Sequence, residues 1–287
     1  MSITSRTRLI LLVGHPVSRS VSPQIFNRVF REEGIDACYL SLDIPPNGFA
    51  RVFPSLLESG LSGNITVPFK EKALSFIDIP SEAAMTAGAC NVFWVEEGMS
   101  HGDNTDMYGF LNGLSPRIRG SLSGMSAVIL GAGGAARSIA VALLAEGLQR
   151  LLIANRSPSR GTDLAAFLRR AFPDREAVCC GYEAFSAGFE ADYSLLVNAA
   201  STGWRKGEAP LIDPARIQGL RYYFDAIYWE KTSLMRACES IGVESVDGLE
   251  MLVQQGALAL RRWFDIDPPI ETMRECARRA LEGVERR

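Results

Sequence analysis

Lys70 and Asp106 have the residue types and the sequence settings of a proton-transfer pair. Lys70 ends the stretch 64–70, NITVPFK, and Asp106 ends the stretch 102–106, GDNTD. The chain has 30 Lys and Arg residues together, and its lysines are Lys70, Lys72, Lys206 and Lys231. Lys, unlike Arg, gives up its proton when its surroundings shift its pKa. A Lys held against an Asp could therefore move a proton during catalysis.

The elements that must position this pair alternate between short β-rich runs and helical stretches. In the first part of the chain, strands are predicted at 9–13, 38–42, 63–67 and 91–95, and helices at 22–33, 48–59 and from Pro68 or Lys70 onward. Ser22 is predicted as the N-cap of the first helix and Pro23 as its first residue. Such alternation is typical of α/β proteins with a largely parallel sheet.

A second α/β unit is predicted to begin near Gly124. Its strands are predicted at 127–130, 151–154, 195–197 and 223–227, with a helix running to Gly147 and C-terminal helices at 251–263 and 270–284. The basic residues of the last helix alternate with glutamates, which predicts a solvated helix face.

A glycine-rich loop joins the first strand and helix of the second unit. Gly131 permits a tight turn, and Gly133 lets the backbone approach a diphosphate at the helix N-terminus. Gly134 and Ala135 allow close helix packing, and Ala132 completes the loop. The preceding strand and the following helix favour a dinucleotide site over an ordinary βα turn.

The end of the next strand indicates which dinucleotide would bind. An NAD site usually has Asp or Glu there to hold the ribose 2′-hydroxyl. This chain has Asn155, Arg156 and Ser157 at that place, and Arg160 follows closely. Arg pairs with a 2′-phosphate, whereas a carboxylate would repel it, so the pattern favours NADP over NAD. Arg156 could instead be only a surface charge, which leaves NAD open.

The bulk composition limits the class of partner. The chain has 287 residues, with 47% hydrophobic and 22% charged residues and a net charge of −3. These values are ordinary for a soluble globular protein, and the acidic balance argues against nucleic acid as the main partner. A membrane span needs a run of about 18 apolar residues, and the sequence contains none. The apolar run at 9–13 is too short for a secretory signal and is predicted to be a strand.

Cysteine and histidine usage predicts no metal site and no disulfide framework. The cysteines are Cys38, Cys90, Cys179, Cys180, Cys238 and Cys276, and none forms a CxxC pair. Reduced thiols in a cytoplasmic protein are the favoured interpretation. The histidines, His15 and His101, are too few for a His-rich metal site.

The motifs together resemble the shikimate dehydrogenase family over almost the whole chain. The similar segments, in family order, are 14–23 (GHPVSRSVSP), 64–70 (NITVPFK), 88–91 (GACN), 104–106 (NTD), 198–203 (NAASTG), 225–228 (DAIY) and 248–255 (GLEMLVQQ). Any one of these could arise by chance, but their shared order and spacing make the resemblance specific.

The resemblance implies roles for individual residues. Lys70 corresponds to the catalytic lysine and Asp106 to its partner. The residues that the family would use for substrate are Ser20 and Ser22 for the carboxylate, and Asn64, Thr66, Asn91, Tyr228 and Gln255 for the ring. The further residues implied near the cofactor are Ala199, Ser201, Ile227 and Gly248.

The activity implied by the resemblance is reversible reduction of 3-dehydroshikimate to shikimate by NADPH, a step of aromatic amino acid (chorismate) biosynthesis. Two alternatives stay open at this point. The ring could be quinate or an amino-shikimate, used with NAD or NADP, or the chain could be a non-catalytic sensor of a ring acid or nucleotide. The presence of both Lys70 and Asp106 disfavours the sensor.

Each implied residue also has a structural interpretation. Lys70 alone could be a surface lysine at a helix start, and Asp106 could be only an N-cap. Ser20 and Ser22 could serve a turn and a cap, and the Asn and Gln residues could be satisfied core amides. The positions that depart from the family pattern are Arg19, Val92, Ala200, Ala226 and Glu230. Val92 and Ala226 could alter how substrate or nicotinamide packs.

The expected organisation is an N-terminal α/β substrate domain followed by a Rossmann-type NADP-binding domain, with C-terminal helices returning to the first. The predicted bounds are 1–107 with 243–287 for the substrate domain and 108–242 for the cofactor domain. Small-molecule substrate is the expected partner, with no nucleic acid and no membrane. The oligomeric state stays open, with a homodimer as the alternative to a monomer.

Overall fold

The computed structural model describes residues 3–186, 192–200, 202 and 207–284. The chain forms two compact units: Met1–Gly109 with Val253–Arg287 form unit 1, and Phe110–Leu252 form unit 2. The first unit is therefore discontinuous in sequence. The predicted functional domains, with boundaries at 107/108 and 242/243, stay predictions.

The helices of the described residues cover both units. Their bounds are α1 (Ser22–Glu32), α2 (Phe49–Glu58), α3 (Lys70–Leu74), α4 (Glu82–Ala87), α5 (Thr105–Gly113), α6 (Pro116–Gly120), α7 (Gly134–Ala145), α8 (Pro158–Ala171), α9 (Glu183–Ser186), α10 (Ser233–Ser240), α11 (Leu249–Phe264) and α12 (Ile270–Val284). No helix in this described part of the chain is long and apolar enough to cross a membrane.

Unit 1 is built on a mixed six-stranded sheet. Its strands are β1 (Arg8–Gly14), β2 (Ala37–Asp43), β3 (Ser62–Ile65), β4 (Ile79–Pro80), β5 (Val92–Glu96) and β6 (Met99–Asp103). Their order is β2-β1-β3-β5-β6-β4. β1 pairs in parallel with β2 and β3, whereas β5 is antiparallel to both β3 and β6. β4 pairs in parallel with β6, so the prediction of a largely parallel sheet is confirmed, with β5 as the antiparallel exception.

An aromatic stack in unit 1 fixes the chain just before Lys70. Phe49 and Phe53 lie four residues apart on α2, so they share one helix face, and both are buried. The ring of Phe49 stacks on Phe53 at 4.8 Å and on Phe69 at 4.2 Å between centroids. Burial of aromatic side chains contributes strongly to core stability. The residue that precedes Lys70 is therefore anchored in the core.

The first helix begins differently from the prediction. The N-cap of α1 is Val21, which makes no side-chain capping bond, and Ser22 is already helical. The Ser20 hydroxyl oxygen instead accepts a hydrogen bond from the Ser22 backbone N–H at 3.2 Å. The prediction of Ser22 as N-cap is wrong, because Ser22 is already the first helical residue and its N–H donates to Ser20.

Unit 2 is built on a six-stranded sheet whose strands are all parallel. Its strands are β7 (Ser126–Leu130), β8 (Arg150–Ala154), β9 (Glu176–Cys180), β10 (Leu195–Asn198), β11 (Tyr222–Asp225) and β12 (Glu244–Val246). Their order is β12-β11-β10-β7-β8-β9. With β7 as the first strand, this is the doubly wound order in which ligands bind where the direction of winding reverses. That point lies between β7 and β10, so the α/β prediction with a Rossmann-type unit is confirmed.

Substitution of Gly63 tests how tightly the unit 1 sheet is packed. Gly63 lies in β3 opposite Leu11 of β1, and a Cβ added there would lie 2.1 Å from the Leu11 carbonyl oxygen. We expect Gly63→Ala to lower the free energy of unfolding by about 1–3 kcal/mol or more, because the backbone of a neighbouring strand must move. Thermal and urea unfolding would measure the change.

Gly120 supplies the matched control for that substitution. A Cβ at Gly120 would meet nothing within 4 Å. Gly120→Ala should therefore leave the unfolding midpoint nearly unchanged. Equal stability of the two alanine variants would contradict the close approach of β1 and β3.

Candidate active site

Lys70 and Asp106 form a shielded ion pair. Lys70 is the first residue of α3, and Asp106 lies in the first turn of α5. The Lys70 Nζ lies 2.6 Å from Asp106 Oδ2, and the two side chains are 12% and 6% exposed. Such a pair is screened little by solvent, so the carboxylate holds the ammonium in one position. The structure thus brings the sequence-predicted pair together.

Asn91 fixes the other oxygen of Asp106. The Asn91 Nδ2 donates to Asp106 Oδ1 at 3.0 Å and to Thr105 Oγ1 at 2.9 Å. The Asn91 Oδ1 accepts from the Thr105 backbone N–H at 2.7 Å, which determines the orientation of the amide. Both oxygens of Asp106 are therefore engaged, and Lys70, Asp106 and Asn91 form one connected group.

Gln255 and Asn64 extend this group within unit 1. The Gln255 Oε1 lies 3.4 Å from Asn91 Nδ2, a long contact that a substrate hydroxyl could replace. The Asn64 Nδ2 donates to the Asn91 carbonyl oxygen at 3.2 Å, and both asparagines are buried. Amide side chains from β3, α11 and the start of β5 thus converge beside the ion pair.

Thr66 and the loop 14–23 are joined to the same turn. The His15 backbone N–H donates to the Val67 carbonyl oxygen at 2.8 Å. A Cβ added at Gly14 would lie 2.3 Å from the Thr66 methyl carbon, so Thr66 packs directly over Gly14. The loop that carries Ser20 and Ser22 therefore starts in contact with the turn that carries Lys70.

The same loop is tied to β2 by hydrogen bonds to the Asp43 carboxylate. The His15 Nδ1 lies 2.6 Å from Asp43 Oδ1, and the Val17 N–H donates to Asp43 Oδ2 at 3.3 Å. The hydrogen bond from His15 holds the pKa of Asp43 below its usual value, with a further contribution from the Val17 N–H. Ser20 and Ser22 lie in one turn, joined by the hydrogen bond from the Ser22 backbone N–H to Ser20 Oγ, and Ser22 is buried. Their role as carboxylate ligands stays a prediction.

Asp103 is a site-supporting residue that the sequence analysis missed. Its buried carboxylate accepts from Ser81 Oγ at 2.5 Å and from the Asn104 N–H at 2.8 Å. Its second oxygen accepts from Arg262 Nε at 2.9 Å. Arg262 lies on α11, the helix that carries Gln255, so Asp103 ties that helix to the β6–α5 turn. The sequence signal was an acidic residue directly before Asn104, but its partner is distant in sequence.

The glycine loop of unit 2 has the backbone geometry of a diphosphate site. Gly131 has φ +107°, and a Cβ there would lie 2.9 Å from the Ala199 carbonyl oxygen, so glycine is required. Gly133 is the N-cap of α7, and a Cβ there would meet nothing within 4 Å. Gly134 and Ala135 begin the helix, whose first N–H groups have no partner within the helix itself and suit an anion.

The end of β8 carries the residues expected at a 2′-phosphate. Asn155 Nδ2 donates to the Ser157 carbonyl oxygen at 2.9 Å, and Ser157 is the N-cap of α8. Arg156 and Arg160 are both exposed. An Arg160 guanidinium nitrogen donates to the Ala132 carbonyl oxygen at 3.4 Å, which joins this turn to the glycine loop. The cluster is cationic, as a phosphate requires.

A buried carboxylate organises the ends of β10 and β11. Asp225 Oδ1 accepts from Asn198 Nδ2 and from the Ile227 N–H, each at 3.0 Å. Its Oδ2 accepts from the Tyr223 hydroxyl at 2.5 Å and from Thr232 Oγ1 at 2.7 Å. Burial raises the pKa of Asp225, and the donated hydrogen bonds oppose that shift. Asp225 therefore fixes the loop that begins with Ala226 and Ile227, a role the sequence analysis did not assign.

Gly248 packs against that loop. A Cβ at Gly248 would lie 2.5 Å from the Ala226 carbonyl oxygen, and the Gly248 N–H donates to the Ile227 carbonyl oxygen at 3.2 Å. Tyr228 is half-buried and packs edge-on against Trp229, with ring centroids 5.0 Å apart. Ala199 follows β10 beside the glycine loop. Ser201, predicted near the cofactor, lies outside the described residues.

Thr232 provides a test of the Asp225 network. Its hydroxyl donates to Asp225 and accepts from the Met235 N–H at 3.1 Å, so it also caps α10. We expect Thr232→Val to lower the free energy of unfolding by about 2 kcal/mol, because a buried carboxylate and a helix N–H each lose a partner. Thr232→Ser keeps the hydroxyl and should cost clearly less. Calorimetric melting would compare them, and equal losses would contradict the importance of the hydroxyl.

Fold and site together define a class of protein: an α/β oxidoreductase with a Rossmann-type dinucleotide unit and a Lys–Asp pair in a second α/β unit. Three family models match this chain. Their descriptions are shikimate dehydrogenase substrate binding domain (residues 12–93), shikimate / quinate 5-dehydrogenase (residues 114–175) and shikimate 5'-dehydrogenase C-terminal domain (residues 248–278).

Individual relatives agree with these matches. A shikimate dehydrogenase (NADP(+)) of Rubrobacter xylanophilus is 41% identical, over 98% of this chain and 98% of the relative. One of Symbiobacterium thermophilum is 37% identical, over 96% and 95%. The crystal structure of the Thermus thermophilus enzyme, in complex with NADP(H) and shikimate, is 32% identical with a TM-score of 0.78, over 95% and 99%. The chain belongs to the shikimate dehydrogenase family.

Proposed function

We propose that the protein interconverts 3-dehydroshikimate and shikimate with NADP as the cofactor, as an enzyme of aromatic amino acid (chorismate) biosynthesis. The observation that carries the proposal is the Lys70–Asp106 ion pair, 2.6 Å long and shielded from solvent, in a chain of this family. Relatives that match nearly the full length are named shikimate dehydrogenase (NADP(+)). The Thermus thermophilus relative binds both NADP(H) and shikimate.

The proposed chemistry separates hydride and proton. NADPH supplies the hydride that the ketone carbon takes up, and the protein supplies position and the proton. Lys70 polarises the ketone oxygen and donates that proton, and it recovers a proton from solvent afterwards. Asp106 holds the Lys70 ammonium in place, and Asn91 holds Asp106. Positioned proton transfer of this kind contributes about 10²–10⁴-fold to rate.

The proposed substrate contacts are hydroxyl and amide side chains. Ser20 and Ser22 donate to the ring carboxylate, supported by the hydrogen bond that keeps them adjacent. The residues proposed to contact the ring and its hydroxyls are Asn64, Thr66, Asn91, Tyr228 and Gln255. Polar groups that are already fixed by the protein lose little entropy when the ring binds.

The proposed cofactor contacts lie in unit 2. The diphosphate rests on the glycine loop formed by Gly131, Ala132, Gly133, Gly134 and Ala135. The 2′-phosphate is held by the turn of Asn155, Arg156, Ser157 and Arg160, whose exposed guanidinium groups support NADP over NAD. The residues proposed beside the remaining part of the cofactor are Ala199, Ser201, Ile227 and Gly248.

The remaining expectations concern organisation and setting. We keep 1–107 with 243–287 as the substrate domain and 108–242 as the cofactor domain. The net charge of −3 supports small molecules rather than nucleic acid as partners. The cysteine spacing, which fits no disulfide framework, supports a cytoplasmic location. A homodimer is the alternative to a monomer, and sedimentation would distinguish them.

The test of the proposed function is an initial-rate matrix of shikimate and quinate, each with NADP⁺ and NAD⁺. Preferential oxidation of shikimate with NADP⁺ is the expected result. Preference for quinate or NAD⁺ would overturn the substrate or cofactor assignment and point to Val92, Ala226 or the Arg156 turn. Cofactor binding without turnover of either ring acid would favour the sensor.

A further inference from the structure

Tyr39 connects the core of unit 1 to the substrate side of the site. It lies on β2 and is 0% exposed, and its ring stacks on Phe26 with centroids 4.5 Å apart. Its hydroxyl donates to Asn64 Oδ1 at 2.8 Å. A phenylalanine ring would pack in the same way. The tyrosine is therefore distinguished by its hydroxyl group and by the hydrogen bond that this group makes. A buried hydroxyl lowers stability unless it is bonded, and here its bond ends on a residue beside the ion pair.

The orientation of the Asn64 amide follows from its two neighbours. The Asn91 carbonyl oxygen can only accept, so the Asn64 atom that faces it at 3.2 Å must be the Nδ2. The other atom, Oδ1, then faces the Tyr39 hydroxyl, which must be the donor. The two hydrogen bonds agree with each other: Nδ2 faces the Asn91 carbonyl oxygen, and Oδ1 faces the Tyr39 hydroxyl.

The fixed orientation has a consequence for ligand recognition. An Asn amide has two N–H donors, and among the described residues the Asn64 Nδ2 makes one hydrogen bond, to the Asn91 carbonyl oxygen. The second N–H is available to a ligand oxygen. Without the Tyr39 hydroxyl, one of the two constraints on the amide is lost, and the Oδ1 is left buried without its donor.

We propose that Tyr39 is a positioning residue of the substrate site: its hydroxyl holds Asn64 so that the amide presents an N–H donor to a ring hydroxyl. The inference rests on the proposed function, and it adds a residue two strands away from the reacting group. The backbone of Tyr39 is itself clamped, because Asn27 bonds both its N–H and its carbonyl oxygen at 2.8 Å. The backbone from which the Tyr39 side chain extends is therefore held in place.

Tyr39→Phe, Asn64→Ala and the double variant form the test, as a double-mutant cycle. We expect Tyr39→Phe to raise KM for shikimate about tenfold, the equivalent of one hydrogen bond to a fixed partner. The KM for NADP⁺ should not change, and kcat should fall less than KM rises. In the Asn64→Ala background, Tyr39→Phe should add no further change in KM, because it acts through the amide.

Tyr193→Phe provides a matched control in unit 2. Tyr193 is also buried, and the Arg150 guanidinium carbon lies 4.8 Å from its ring centroid. No substrate role is proposed for either residue. Tyr193→Phe should change the melting temperature without changing KM for shikimate. The same readouts on Tyr39→Phe separate a site effect from a purely structural one.

The experiment distinguishes failure of the Tyr39 positioning role from failure of the proposed function. Independent, multiplicative effects of Tyr39→Phe and Asn64→Ala on KM would overturn the positioning role, and so would a loss of melting temperature alone. Both results would leave shikimate oxidation by the wild type intact. A wild type that neither oxidises shikimate nor binds it by calorimetry would overturn the proposed function, and the inference with it.

Discussion

Lys70→Ala is expected to lower kcat for shikimate oxidation by about 10²–10⁴-fold, the usual contribution of a positioned acid or base. The side chain is shielded and lies 2.6 Å from Asp106 Oδ2, so its removal deletes the proposed proton donor and leaves the buried Asp106 carboxylate without its ion-pair partner. The KM for NADP⁺ should stay near the wild-type value, because the proposed cofactor residues lie in the other unit. Steady-state rates and NADP⁺ titration on the same samples would measure both.

Lys72→Ala is the matched control for this substitution. Lys72 lies two residues further along α3 and is exposed, so its loss should leave kcat unchanged. Lys70→Arg tests the chemistry more closely, because Arg keeps the charge but does not release its proton. A Lys70→Arg enzyme with a wild-type rate would contradict proton donation by Lys70 and leave only its electrostatic role.

The parts of the fold that sequence predicted are those with local signals. The buried apolar run of β1 and the Gly-x-Gly-Gly loop before α7 have patterns within a few residues, and both elements formed as predicted. β6 was missed, because the segment MSHGD has neither alternation nor β-branched residues, and it becomes a strand by pairing with β5 on one side and β4 on the other. Tertiary pairing, rather than propensity, makes that segment a strand.

The site residues also fall into those with a local sequence signal and those without one. Lys70, Asp106 and Asn91 could be named because each lies in a short motif, and the structure joins them through hydrogen bonds. Asp103 and Tyr39 could not be assigned, because their partners Arg262 and Asn64 are 159 and 25 residues away. Short sequence motifs thus identify candidate ligand-binding residues more readily than the residues that position those side chains.

Arg156→Glu is expected to change cofactor preference. The wild-type turn at the end of β8 presents exposed Arg156 and Arg160 and has no carboxylate among residues 155–160. The substitution removes a charge-assisted bond to the 2′-phosphate and adds a carboxylate that repels it and can accept from a ribose 2′-hydroxyl. We expect the ratio of kcat/KM for NADP⁺ over NAD⁺ to fall by about 10²–10³-fold. Rates with each cofactor at saturating shikimate would measure it.

Arg170→Glu separates this local effect from a change in the overall field. Arg170 is exposed near the end of α8, whereas Arg156 is exposed just before the helix begins. Both variants therefore change the net charge equally and differ only in position. Long-range attraction of an anionic cofactor depends on the summed charge and weakens with salt, whereas a direct Arg–phosphate bond is set by position. If Arg156 binds the 2′-phosphate, Arg170→Glu leaves the NADP⁺ to NAD⁺ ratio unchanged at every salt concentration. An equal loss of preference in both variants would assign the effect to net charge and contradict a 2′-phosphate site at Arg156.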